Sequence, residues 1–119
     1  MIALALAVGL LFQADAAREA EARRDVMARF QALNDCVEAE AGRLEPSGES
    51  AGDIADAALA SFNCQVADFQ LELSVGTLNL EVFGFTPEGR QASERAMADY
   101  QARVRANAVR VIVEHRARP

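Results

Sequence analysis

Apolar residues from about Ala16 to Leu44 recur at the spacing of a helix. Val26, Phe30, Leu33, Val37 and Leu44 fall three or four residues apart, or at multiples of a turn, and make one stripe. Glu19 and Arg23 add an i,i+4 pair in the favourable orientation. Pro46 disfavours the α region at Glu45, so the helix should stop there. The segment from Glu45 to Ser50 has the composition of a turn. Ser50, with Asp53 three residues on, then resembles a capping box.

A second helix is expected from about Ala51 to Leu73, and its pattern is the most informative in the chain. Projected at 100° per residue, it carries two apolar faces. Ala55, Ala58, Leu59, Phe62, Val66, Phe69 and Leu73 make a bulky face; Ala57, Ala60, Cys64, Ala67 and Leu71 make a smaller one on the other side. A helix apolar on two sides should be covered on two sides. This reading makes it the middle element of three, with its Cys64 face toward the first helix and its Phe face toward the third.

Leu78, Leu80 and Val82 alternate with Asn79 and Glu81, a strand-like pattern. A lone hairpin is marginal in water, so residues 74–85 read as an extended connection lying over the end of the bundle. Thr86 and Pro87 suit the N-cap and first position of a third helix running to about Arg116. Met97, Tyr100, Val104, Ala108, Val111 and Ile112 form its apolar face. The expected fold class is therefore all-α, an antiparallel three-helix arrangement with helix 2 in the middle.

The two cysteines fit that geometry. Cys36 lies eight residues before Leu44, roughly 13 Å along the first helix, and Cys64 lies eleven after Asp53, roughly 16 Å along the second. In an antiparallel pair the heights nearly match, so a Cys36–Cys64 disulfide is expected. The pair is not a CxxC redox motif. Two thiolates and a distant His115 also do not make a zinc site.

Ile2 to Phe12 is an unbroken run of apolar residues and one glycine, followed by Gln13-Ala14-Asp15-Ala16. That pattern reads as a signal peptide over residues 1–16, leaving 17–119 as a single small domain. The run is shorter than the roughly 20 residues a membrane span needs, so no stable membrane anchor is expected after cleavage. Its positive charge would come from the amino terminus or from upstream, because no basic side chain precedes it. Export to the periplasm or beyond also suits a disulfide in a small domain.

Composition narrows function mainly by exclusion. Apolar residues make up 51% of 119, enough for a core. The net charge of −6 argues against nucleic acid, whose binding rests on phosphate contacts. All twelve basic residues are arginine, and alanine is abundant, a bias typical of GC-rich bacterial coding. Arg103, Arg105, Arg110, Arg116 and Arg118 project to several faces and suit a helix C-terminus. Glu38, Glu40, Glu45, Glu49, Asp53 and Asp56 surround the first turn without the alternation of a calcium loop, so a solvated acidic tip is expected. His115 has only Glu114 nearby in sequence, on a different side, so no acid–base pair is indicated. No nucleophile motif or phosphate-binding glycine loop is present. The expectation is a non-enzymatic module without catalytic residues, metal or cofactor, binding another protein as a folding helper or inhibitor. Two alternatives stand beside it: a thiol–disulfide participant using Cys36 and Cys64, and a self-associating structural envelope protein, a homo-oligomer held by its Arg-bearing last helix.

Overall fold

The computed structural model describes residues 2–119, with side chains described from Gln13 onward. The protein is all-helical: α1 (Ile2–Leu44), a 3₁₀ turn (Glu45–Ser47), α2 (Ala51–Leu59), α3 (Phe62–Phe83) and α4 (Pro87–Arg116). Ala16, the expected cleavage point, sits within α1, and the side chains of the apolar run before it lie outside the described residues.

The stripe read on α1 is the one that builds the core. Val26 and Ala41 are buried, Leu33 and Val37 completely so, and Phe30 and Leu44 pack against them. Two glycine-bearing turns then reverse the chain. Gly48 takes a left-handed conformation, φ 75°, after the 3₁₀ turn. Ser50 caps α2 as expected, its hydroxyl accepting a hydrogen bond from the amide of Asp53 at 3.1 Å. Thr86 caps α4 in the same way from Gly89, and donates its own proton to the Phe83 carbonyl.

The structure differs from the three-helix expectation at Ala60–Ser61. The helix anticipated over residues 51–73 is two helices, so there are four in all among the described residues. Ser61 leaves the α region, with φ −61° and ψ 138°, and its hydroxyl accepts from the Asn63 amide as the N-cap of α3. Serine competes with the helix ladder in this way wherever a partner rewards it. Here the partner is Glu40 on α1. Its carboxylate accepts from Ser61 Oγ at 3.0 Å and from Asn63 Nδ2 at 3.2 Å, and Arg43 of α1 donates to the same oxygen as Ser61. The break resolves the two-faced pattern. In one continuous rod, Ala55 and Ala58 would point away from Cys64 and Leu71. With the chain broken, Ile54, Ala55 and Ala58 of α2 and Cys64, Leu71 and Val75 of α3 all enter the same core.

Residues 74–85 are a second correction. They form no extended connection, because α3 continues to Phe83. Leu71, Val75 and Leu78 carry a helical spacing onward into the core, and no strand exists among the described residues to pair with the alternating Leu78, Leu80 and Val82. Tertiary burial decides where short-range alternation does not. Gly84 ends the helix at φ 67° and ψ −166°, a region essentially reserved for glycine.

Polar contacts between helices fix how they are seated. On α1, Asp25 accepts from Ser74 and Arg29 donates to Gln70 at 3.1 Å, tying one flank of α3. On the other flank, α4 reaches α3 through Gln101–Asp68 at 3.0 Å and Asn79–Ser93 at 2.8 Å. Asn107 of α4 donates to Asn34 of α1, and the Phe30 and Tyr100 rings meet with centroids 5.1 Å apart. α1, α3 and α4 thus pack pairwise around one core, into which Val104, Ala108 and Ile112 project from α4. The disulfide joins Cys36 of α1 to Cys64 in the first turn of α3, with Cα atoms 5.8 Å apart, inside the usual range for such a bond.

Candidate docking face

The residues weighed for chemistry in the sequence are mostly held by structural contacts. Cys64 is completely buried and bonded to Cys36, which supports a structural use of the bridge. His115 does not face Glu114; its Nδ1 lies 2.8 Å from Glu45 Oε1, and Arg116 also approaches Glu45. These contacts fasten the end of α4 to the turn after α1.

The acidic tip is dispersed into separate pairings. Glu40 holds the α2–α3 break, Asp56 takes Arg105 at 2.6 Å, and Glu38 accepts from Asn34. The hydrogen bond from Arg43, then that from Asn63, holds the Glu40 carboxyl down to about 2, against the opposing effect of its burial. The Arg105 hydrogen bond likewise lowers Asp56. Among the described residues no group of three or more His, Cys, Asp or Glu side chains could hold a metal ion.

The arginines weighed as a basic surface on α4 each have a partner: Arg103 pairs with Asp99 and lies over the Tyr100 ring, Arg105 pairs with Asp56, Arg110 reaches Glu114 at 3.9 Å, and Arg116 donates to the Glu49 carbonyl.

What remains unpartnered is an apolar face on α3. Phe62 is 83% exposed, Val66 66%, Phe69 57% and Leu73 55%. Leu80 continues the line at 43%. At 100° per residue these five side chains fall within about 60° of arc, and they span roughly 27 Å of helix. The apolar pattern alone places this stripe inward, against the third helix; the structure turns it outward. The cause is the Ser61 break, since Ala55, Ala58 and Leu59 lie on the same projected face only if the rod is continuous. Ala55 and Ala58 are buried and Leu59 half-buried, while the stripe of α3 faces away from the core.

Near the α3–α4 turn the stripe opens into a cleft of about 680 Å³. Phe69, Leu73, Gly76, Leu80, Phe85 and Pro87 supply its apolar lining, and Arg90 stands on its rim. Phe85 itself is 95% exposed. The turn beneath is tightly built: a Cβ on Gly89 would come within 3.1 Å of the Gly84 carbonyl oxygen. The flanks of α3 carry Asp68, Glu72 and Glu81 and no basic residue. Monomeric proteins rarely present a contiguous apolar surface of this kind without a partner for it. No helix among the described residues is long and apolar enough to cross a membrane. No known protein family, curated protein or solved structure matches the chain.

Proposed function

We propose that the protein is an exported, non-enzymatic binding module that holds apolar segments of other proteins on the outward face of α3, as a folding helper or inhibitor. The observation that carries this reading is the exposure of Phe62, Val66, Phe69 and Leu73 in one line beside an apolar cleft. Helical or extended segments with apolar residues at matching intervals would lie along it, the usual logic of groove recognition. The Cys36–Cys64 bridge suits an oxidising compartment and supports export to the periplasm, as does the apolar run before Ala16. The reading involves no metal, cofactor or nucleic acid, and no catalytic step.

Suppression of aggregation tests it. A chemically denatured, disulfide-reduced carrier protein diluted into buffer scatters light as it aggregates, and the full chain should reduce that scattering at near-stoichiometric ratios. The Phe62→Asp/Phe69→Asp variant should lose the effect while keeping its helical circular dichroism, because both side chains are exposed. Equal protection by variant and parent would remove the α3 face from the function.

A further inference from the structure

We infer that in the free protein the α3 face is covered by a second copy of the chain, with the two α3 helices antiparallel across a two-fold axis level with Leu71. The inference rests on the reading of α3 as a docking face and names what occupies it when no other protein does.

Three observations lead to the second copy. The first is area. Taking about 200 Å² for a whole phenylalanine, Phe62, Phe69 and Phe85 together expose on the order of 470 Å². With Val66, Leu73 and Leu80 the surface reaches roughly 750 Å², close to the ~800 Å² that each partner of a standard stable interface contributes.

The second is self-complementarity, which a two-fold interface requires. In this register Phe69 lies opposite the partner subunit's Leu73 and Phe62 opposite the partner subunit's Leu80. On the α4 side Gly76 leaves a gap beside the partner subunit's Phe69, and on the other side Val66 lies beside the partner subunit's Thr77. Phe62, the most exposed residue of the stripe, falls at the level of the cleft lined by Gly76, Leu80 and Pro87, and each copy offers one such ring and one such cleft.

The third is Gly76. A glycine in the interior of a helix costs about 1 kcal/mol relative to alanine. Within one chain nothing lies within 4 Å of where its Cβ would be, so no packing inside the monomer requires it. Across the pair it leaves room for Phe69 and lets the helices approach to the usual 8–10 Å.

The flanks temper the association. On the side toward α4, Glu72 of each copy stands near the axis, so like charges face one another there. Glu72→Gln should therefore tighten the dimer.

Sedimentation equilibrium of the full chain tests the proposal, with helical circular dichroism and the urea midpoint confirming that each variant is folded. The parent should be a dimer at micromolar concentration, and Phe69→Asp a monomer. Gly76→Leu is the discriminating variant. It adds apolar surface in open space, so association driven by stickiness alone would strengthen, whereas the register proposed here would clash with Phe69 and the dimer would be lost. A monomeric parent at about 100 μM, or a Gly76→Leu dimer as tight as the parent, overturns the inference. Protection of a denatured carrier by a strictly monomeric parent would sink the dimer and leave the docking function standing; a dimer that protects nothing would do the reverse.

Discussion

Replacing both cysteines by alanine should cost the protein a large share of its stability, by an amount the structure allows to be worked out. The bridged residues are 28 apart in sequence, so the bond closes a loop of about 29 residues, and the chain-entropy relation gives about 3.5 kcal/mol at 25 °C. Two corrections act in opposite directions. Cys64 is completely buried, and loss of its sulfur leaves a small void in the core that adds to the cost. Residual structure in the unfolded chain reduces it, because a partly ordered loop has less entropy to lose. A net loss of about 3 kcal/mol follows. Domains of this size hold roughly 5–15 kcal/mol, so the Cys36→Ala/Cys64→Ala variant should still fold. With a urea m-value near 1.5 kcal/mol/M, its midpoint should fall by about 2 M. Urea denaturation followed by far-ultraviolet circular dichroism would read this in three samples: the oxidised parent, the parent with reductant, and the double variant. The two bond-free samples should agree closely, since the effect lies chiefly in the unfolded chain. A midpoint shift below about 0.5 M at unchanged m would refute the reasoning.

Two further expectations concern the joints between helices. The Glu40 carboxyl is held at about 2, chiefly by Arg43, against an ordinary value of 4.5. Its contribution to stability is therefore complete above the ordinary value and disappears as pH falls through about 2. Glu40→Gln should lower the urea midpoint at pH 7, with the gap to the parent closing by pH 2; a gap that stays constant with pH would show that charge is not what holds the α2–α3 break. Gly84, at φ 67° and ψ −166°, should not accept a side chain without strain of about 1–3 kcal/mol, so Gly84→Ala should lower the urea midpoint measurably while leaving the helix content intact.

Much of the scaffold was legible in the sequence because it depends on local rules in which one effect outweighs the rest. The stop near Pro46, the caps at Ser50 and Thr86, the α1 stripe and the α4 stripe from Val104 to Ile112 each follow from a single residue type at a single spacing. The disulfide was legible because the chain carries only two cysteines, although the height match reckoned along one unbroken second helix does not survive the Ser61 break. Two features were not legible. The strand-like alternation of Leu78, Leu80 and Val82 coexists with the helical spacing of Leu71, Val75 and Leu78, and only burial against α1 chooses between them. The Ser61 break was hidden because its cause lies 21 residues away, in the carboxylate of Glu40. Ser61 is a residue type that forms caps, but a lone serine inside an apolar pattern is equally at home pointing outward from an unbroken helix.

That missed break is also why the bulky apolar face was placed inward. A sequence with apolar residues on two sides of one helical span has two physical solutions. Neighbours can cover both sides, or the span can be cut so that part of each side reaches the same core. The protein takes the second solution for Ala55, Ala58, Cys64 and Leu71, and the cut leaves Phe62, Val66, Phe69 and Leu73 with no face to turn inward. Exchanging these residues for polar ones would cost the core nothing, since none of them is in it. Their bulk and apolar character, at positions outside the core, is the ground for proposing that a second copy, or a protein that displaces it, lies on α3.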